Sequence, residues 1–270
     1  MKKIINISVW VVLILGLFVM LGFVDSAEDN LKIKKLEIRV DESSNNFFVD
    51  KQDIQNLIFN TGDSILGQPM NTVNVQHLEK LINNHPAISN AEVYKSLNGK
   101  VSVEVKQRNP LLRIFNYNNE SFYIDEDGKF MPLSAKYTAR VLVANGNIFG
   151  GYNLLHNLNM NEILANKEFA EKTMVDDLFL LAQFITKDKF WKAQIEQIFV
   201  NENREIELIP RVGEHKIIFG DTNDMQEKFK KLMIFYRKGL ANTGWNEYHI
   251  INLKFKNQVV CTKKNSSLVH

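Results

Sequence analysis

The segment whose residue types come nearest to a metal-binding loop is "YIDEDGKFMPLS", residues 123–134. The residues that fit positions 3, 5 and 6 of an EF-hand calcium loop are Asp125, Asp127 and Gly128. Positions 1 and 12 would be Tyr123 and Ser134, so the first carboxylate and the final bidentate ligand are missing. We therefore predict an acidic β-turn between two short strands and no calcium site.

Other residue types that could carry chemistry do not form a recognisable constellation. No histidine lies three or four residues from another, which excludes the commonest local pattern of a metal site: His77, His85, His156, His215, His249 and His270. "GDSILG" follows a predicted helix, whereas a nucleophile elbow follows a strand, and "GNIFGG" misses the dinucleotide-binding fingerprint. The lone Cys261 has no partner for an internal disulfide. The sequence thus predicts a protein that is not an enzyme, with no metal, cofactor or small-molecule substrate.

The N-terminus carries the pattern of a membrane anchor. Lys2 and Lys3 precede an uncharged, apolar stretch at 4–24, close to the roughly 20 residues needed to cross a bilayer. The stretch is too long for the core of a cleavable signal peptide. We predict a short cytoplasmic tail at 1–3, a transmembrane helix in the lipid bilayer at 4–24 and a linker at 25–31, with everything after it outside the cytoplasm.

Charge limits the partners of the part that follows the anchor. Removing the two leading lysines from the 33 basic residues leaves 31, equal to the 31 acidic residues, all of which lie after the anchor. A neutral domain without a basic patch is not expected to bind nucleic acid. A protein interface remains open.

After the linker, a stretch of about 75 residues predicts a compact α+β module in which two helices cover one face of a small sheet. "KIKKLEIRV" alternates in the manner of a half-buried strand. Two helical patterns follow, "VDKQDIQNLIFN" with Asp50 as N-cap and "NVQHLEKLINNHP", which Pro86 ends. A hairpin at 91–105 closes the module, so the order is strand, helix, helix, strand, strand.

The faces of that hairpin select its register. A two-residue turn at Asn98-Gly99 would set apolar residues opposite charged ones. A three-residue loop with Gly99 in the left-handed region instead places Val93 opposite Val103 and Ala91 opposite Val105. We predict the second register.

The rest of the chain predicts a mainly antiparallel β domain with two helices. The strand-like runs are "SFYIDEDGKFMPLS", "ARVLVANGNI", "IEQIFVNENREIELIP" and "HKIIFGD". One helix is predicted over 167–187, and a second carries an apolar stripe from Met225 to Leu240. A final strand alternates Ile251, Leu253 and Phe255 with polar residues.

In this order, the elements resemble the bacterial FtsQ/DivIB family of cell-division proteins over essentially the whole chain. The hairpin residues that carry the resemblance are Pro86, Ala91, Val93, Val101, Val103 and Pro110. It implies a POTRA domain at 32–110, an FtsQ-type β domain at 111–262 and a disordered tail at 263–270. "INLKFKNQ" and the many asparagines suggest a Bacteroidetes-type branch of that family.

The resemblance also implies a function. Such a protein would be a divisome scaffold in the cell inner membrane, with its N-terminus cytoplasmic and its two domains periplasmic, enriched at the septum. It would recruit FtsB-like and FtsL-like single-pass coiled-coil proteins for septal peptidoglycan synthesis. We expect strand addition at an exposed sheet edge over Tyr248–Phe255, and a further docking edge at the hairpin. The predicted partner-binding residues are Trp245, Tyr248, Ile251, Leu253, Lys254 and Phe255.

Two other functions stay open. A POTRA-type periplasmic chaperone or assembly module would need a membrane barrel after the POTRA domain, which about 160 mixed residues do not supply. A membrane-anchored periplasmic hydrolase would need a nucleophile or a metal set, for which we find no local pattern.

Overall fold

The computed structural model describes residues 10–17, 31–43, 45–59 and 65–264. Residues 10–17 form an exposed helical segment, α1. Among these described ranges, no helix combines the length and the apolar character that crossing a bilayer requires. The predicted transmembrane helix at 4–24 lies largely outside the described residues. The predicted cytoplasmic tail at 1–3, most of the predicted linker at 25–31 and the end of the predicted disordered tail at 263–270 lie outside them as well.

The chain divides into two compact units between Gln107 and Arg108. The strands of the first unit are β1 (Lys35–Asp41), β2 (Ile88–Ser96) and β3 (Lys100–Gln107). Its helices are α2 (Lys51–Phe59) and α3 (Val75–Asn83), with a 3-10 turn at Met70–Thr72. The sheet order is β1-β3-β2, with β1 parallel and β2 antiparallel to β3. The predicted succession of strand, helix, helix, strand, strand is confirmed.

Local sequence signals explain where these helices begin. Asp50 accepts the main-chain N–H of Asp53 at 2.9 Å, and Asn74 accepts that of His77 at 3.0 Å. Both side chains satisfy N–H groups that a helix start leaves without partners. The helices and one face of the sheet then bury a common apolar core, made by Ile54, Ile58, Leu78, Ile82, Val101, Val103 and Val105.

The hairpin has the predicted register. Val93 pairs with Val103 and Ala91 with Val105. Gly99 has φ 83°, in the left-handed region, and a Cβ there would lie 2.7 Å from the main-chain oxygen of Lys32. The three-residue loop therefore requires glycine both for its backbone conformation and for space.

The second unit is a nine-stranded sheet with helices. Its strands are β4 (Pro110–Phe115), β5 (Ser121–Asp125), β6 (Phe130–Met131), β7 (Leu142–Gly146), β8 (Ile195–Val200), β9 (Ile206–Pro210), β10 (Lys216–Gly220), β11 (Tyr248–Asn252) and β12 (Val260–Lys263). Its helices are α4 (Tyr152–Leu155), α5 (Met160–Ala165), α6 (Lys167–Thr173), α7 (Val175–Lys187), α8 (Lys189–Gln194), α9 (Met225–Phe235) and α10 (Ala241–Thr243), with a π-helical turn at Tyr236–Leu240.

The strand order is β12-β11-β10-β9-β8-β7-β4-β5-β6. Five of the eight neighbouring pairs are antiparallel. Three are parallel. The sheet is thus mainly antiparallel, as predicted, but mixed.

The helix content differs from the prediction of two helices. The segment 167–187 is two helices, because Met174 adopts φ 61° and its N–H caps α6 by donating to the carbonyl of Ala170. The short helices α4, α5, α8 and α10 and the strand β4 were not predicted. The two apolar stripes do lie in the core, where Leu178, Ile185, Leu232 and Leu240 are fully buried.

Candidate functional site

The strand that we predicted to be a free edge, Tyr248–Phe255, is not an edge. β11 pairs in parallel with β10 on one side and antiparallel with β12 on the other. The chain reverses after Phe255 through Asn257, which has φ 61°, and returns as β12. The prediction was wrong because "KNQ", directly after the predicted strand, turns the chain back so that β12 pairs with β11. The exposed end of the sheet is β12.

A lysine holds the turn between β11 and β12. The ammonium of Lys231, on α9, donates to the main-chain oxygens of Leu253 at 3.0 Å and Phe255 at 2.7 Å. Partial burial lowers the pKa of this lysine from its ordinary value, with nearby Lys228 acting in the same direction. The clamp ties the turn to the helix layer, so Phe255 is displayed from a fixed main chain.

The six predicted partner-binding residues have different environments. Ile251 and Leu253 are fully buried and belong to the core. Trp245 and Tyr248 are half-buried and pack against it. The two that are exposed are Lys254, which forms an ion pair with Glu205, and Phe255, whose exposed fraction is 45%.

Trp245, three residues before β11, packs in an aromatic cluster with Tyr236 and His215. Trp245 lies edge-on to Tyr236, with ring centroids 4.9 Å apart, and stacks near His215 at 6.4 Å. The hydroxyl of Tyr236 and Nε2 of His215 are 3.0 Å apart. Burial lowers the pKa of His215 and raises that of Tyr236, so both are neutral in the folded protein near pH 7.

β12 presents main-chain hydrogen-bonding groups along the end of the sheet. Lys264 donates its N–H to the carbonyl of Glu247 at 3.0 Å, so its main-chain groups face β11. Because successive residues of a strand face opposite sides, this bond sets which residues of β12 face β11 and which face away. The groups of Cys261 and Lys263 therefore face away from β11, where no partner strand lies among the described residues. Val260, with an exposed fraction of 42%, adds an apolar side chain. This edge can accept an added strand.

The strand at the opposite end of the sheet, β6, presents far fewer main-chain groups to an incoming chain. β6 is two residues long, Phe130–Met131, and both are buried. A short, covered strand gives an incoming chain few main-chain groups to bind. β12 is therefore the better docking edge of this sheet.

The acidic loop next to β6 is a turn, as predicted. The carboxylate of Asp125 accepts the main-chain N–H groups of Asp127 and Lys129, at 3.0 and 2.7 Å, and binds Arg108 at 2.8 Å. Burial raises the pKa of Asp125, an effect that Arg108 partly offsets. In the part of the chain that the structure describes, no group of three His, Cys, Asp or Glu side chains could hold a metal ion.

Two family models match the chain in the same order as the two units. Residues 32–106 match a POTRA-like domain, and residues 109–262 match the family described as FtsQ/DivIB, C-terminal related. The second match covers more than half of the chain. The chain belongs to the FtsQ/DivIB family. No curated protein matches it.

Membership of the FtsQ/DivIB family indicates a divisome-associated protein whose partners are other divisome proteins. Proteins of this family are membrane-anchored and act at the division site. Its domains are non-catalytic scaffold domains. Sequence reasoning missed the edge residues of this FtsQ/DivIB chain, Val260–Lys263. The available signal was the polar turn "KNQ" before "VVCT", since asparagine favours turns and valine and threonine favour strands.

Proposed function

We propose that this protein is a divisome scaffold of the cell inner membrane. Its N-terminus lies in the cytoplasm, one transmembrane helix anchors it, and both domains lie in the periplasm at the septum. It recruits FtsB-like and FtsL-like coiled-coil proteins for septal peptidoglycan synthesis by protein–protein contacts alone.

The observation that carries this proposal is the open edge of β12 at the end of the matched domain. A segment of the FtsB-like partner adds to the sheet beside β12 and bonds the outward main-chain groups of Cys261 and Lys263. The FtsL-like protein joins as the coiled-coil companion of the FtsB-like one.

Side chains around β12 give this contact its specificity. Phe255 and Val260 are exposed and apolar, and they lie at the turn and the start of the edge strand. Burying an exposed phenylalanine and a valine contributes more than the main-chain bonds, which replace bonds to water. Of the residues first predicted, Phe255 and Lys254 thus contact the partner, whereas Trp245, Tyr248, Ile251 and Leu253 hold the strand in place.

The test is capture of the FtsB-like protein from crosslinked dividing cells. Lys263→Pro removes one outward N–H from β12, and Lys263→Ala removes the same side chain but keeps that N–H. We expect capture to fall severalfold with Lys263→Pro and to stay near wild type with Lys263→Ala. Equal capture by the two variants would show that main-chain pairing at β12 does not recruit the partner.

Charge at Phe255 tests the side-chain contribution separately. Phe255→Glu places a carboxylate where the apolar contact is proposed, so capture should fall. Leu154→Glu is the matched control, because Leu154 is also exposed, at 58%, but lies in α4. If the wild type captures no divisome protein at all, the scaffold proposal is wrong.

A further inference from the structure

The hairpin edge that we predicted as a further docking site is closed by side chains of α3. The main-chain N–H of Val93 donates to Oε1 of Glu79 at 2.9 Å. The main-chain oxygen of Ala91 accepts from Nδ2 of Asn83 at 3.3 Å. A strand added here would first have to displace both contacts, so this edge is protected. A surface of another kind, suited to a ring-shaped ligand, lies in the second unit.

Three neighbouring strands of the second unit, β4, β7 and β8, run parallel, so their carboxyl ends lie next to one another. In open sheets with parallel strands, the crevice beyond these ends is the usual place for a ligand. A cleft of about 450 Å³ lies there, within the size range of ligand pockets. Its lining includes the last residue of each strand, Phe115, Gly146 and Val200. We call it the amide cleft, after four asparagines that line it: Asn116, Asn119, Asn145 and Asn147.

The amide cleft combines aromatic rings with uncharged amides. Three aromatic side chains line it, Phe115, Tyr117 and Phe199. Tyr117 is the most exposed of the three, with an exposed fraction of 66%. An exposed ring beside a cleft offers a ligand a large apolar face, and the asparagines offer hydrogen-bond donors and acceptors around it.

The loop that carries Tyr117 is fixed by hydrogen bonds and by ring stacking. The side-chain oxygen of Asn116 accepts the main-chain N–H of Glu120 at 2.9 Å. Tyr117 donates its N–H to the carbonyl of Ile148 at 2.8 Å, and its ring stacks on Phe149 with centroids 5.8 Å apart. The ring is thus positioned before a ligand arrives, which lowers the entropic cost of binding.

Several polar groups of the cleft are available to a ligand. Asn119 and Glu202 are exposed, and in the part of the chain that the structure describes their side chains have no hydrogen-bonding partner. The side-chain oxygen of Asn145 accepts from Gln197 at 2.7 Å, which leaves the amide N–H groups of Asn145 to donate elsewhere. The cleft therefore presents a carboxylate acceptor and amide donors beside its aromatic rings.

The lining also excludes two classes of ligand. Among the described residues that line the cleft, Glu202 is the only charged one, so an anionic ligand would meet no cation. Each of the strands β4, β7 and β8 pairs with a strand on both sides, so no extended peptide can add to them. A matching ligand is neutral and ring-shaped, with an apolar face and polar groups around its rim.

We propose that the amide cleft binds pyranose rings of a β-1,4-linked glycan whose sugars have the glucose configuration. In such a glycan the substituents of each ring lie near the ring plane, so C–H groups cover both faces. These C–H groups pack on Tyr117, because the face of an aromatic ring carries partial negative charge. The polar groups at the rim of the sugar bond Glu202 and the asparagines. This site does not depend on the partner proposed for β12.

The probe is chitotetraose, a β-1,4-linked tetramer of N-acetylglucosamine, and adenosine serves as a neutral ring compound of another class. Binding to the full chain is measured by calorimetry and hydrogen exchange in a detergent without a sugar headgroup, since such headgroups would compete. Chitotetraose should bind saturably and slow exchange at 116–120 and 145–149, but not in β12. No saturable binding, or tighter binding of adenosine, would overturn the proposal.

Two exposed tyrosines offer a matched pair of variants. Tyr117→Ala removes the proposed aromatic face and should raise the Kd of chitotetraose about tenfold. Tyr94→Ala removes an exposed ring from β2, in the other unit, and should leave that Kd unchanged. Equal Kd values in the two variants would overturn the proposed stacking on Tyr117.

Glu202 tests the polar rim without changing an aromatic ring. Glu202→Ala removes the acceptor and should raise the Kd of chitotetraose about tenfold, whereas Glu202→Gln keeps an oxygen there and should raise it less. Because Glu202 is exposed, both variants should fold, so this pair decides the matter even if Tyr117→Ala disturbs its loop. A Kd in Glu202→Ala equal to that of the wild type would contradict the proposed contact with the sugar.

Discussion

The hairpin strand β2 and the final strand β12 both lie at the end of a sheet, but only β12 presents open main-chain groups. Glu79 and Asn83 close the edge of β2. The outward groups of Cys261 and Lys263 in β12 meet no strand among the described residues. Position at a sheet end therefore does not define a docking edge. What matters is whether neighbouring side chains already satisfy the outward hydrogen bonds.

The segment after β11 contains a buried and an exposed side chain two residues apart, Leu253 and Phe255, which separates a structural role from a docking role. Leu253→Ala removes a fully buried side chain and should destabilise the β domain by about 2–5 kcal/mol. Phe255→Ala, two residues later and exposed, should change stability by no more than about 0.5 kcal/mol. Urea unfolding followed by the fluorescence of Trp191 and Trp245 measures both. Similar losses would mean that Phe255 is also part of the core.

The closed edge of β2 can be opened by one substitution. Glu79→Ala leaves the N–H of Val93 without its acceptor and should cost about 1–2 kcal/mol, with faster hydrogen exchange at Val93. Glu79→Gln keeps an acceptor at the same place and should therefore lower the free energy of unfolding by less. If exchange at Val93 is unchanged in Glu79→Ala, side-chain capping does not close this edge.

Acid should weaken the packing of the aromatic cluster of His215, Tyr236 and Trp245. Burial lowers the pKa of His215, so in the window between its folded and ordinary values the unfolded chain binds more protons. The contribution of neutral His215 to the free energy of unfolding is therefore fully present above about pH 6.5. It declines as the pH falls below that value, by at most about 1.4 kcal/mol per pH unit. His215→Gln should flatten that decline in urea unfolding at pH 5.5 and 7.0. Tyr236→Phe removes the hydroxyl that faces His215 but keeps the histidine, so the decline of stability with falling pH should remain.

Releasing the clamp on the turn between β11 and β12 should have the smallest effect. Lys231→Met removes the donor to the carbonyls of Leu253 and Phe255 and should cost about 0.5–1 kcal/mol. Hydrogen exchange should rise at residues 253–259 and stay unchanged in β2. Lys230→Met is the control, since Lys230 is exposed and pairs with Glu227 on the same helix. Equal exchange in both variants would contradict the clamp.

Local signals in the sequence were enough for the order of the elements and the hairpin register of the first unit. Alternating valines fixed the hairpin register, and Asp50 marked a helix start because its carboxylate caps nearby N–H groups. These are interactions between residues close in sequence, and single-sequence patterns record them.

Which strand edges are covered could not be read in the same way in either unit. Whether another strand pairs with the outer side of β11 depends on the turn at Asn257. The alternation of apolar residues before this turn does not indicate that the chain returns beside β11. The closure of β2 depends on Glu79 and Asn83, which look like ordinary surface residues of a helix. The polar turn "KNQ" marks a reversal of the chain, but which strand the returning segment pairs with, and which helix side chains reach β2, depend on contacts made through the tertiary fold.

Site-specific photocrosslinking in dividing cells compares the two strands most directly. A photoreactive residue replaces Lys263 in β12 in one strain and Tyr94 in β2 in another, both at exposed positions. The account predicts an adduct with the FtsB-like protein from position 263 and none from position 94. An adduct from position 94 with none from position 263 would contradict it.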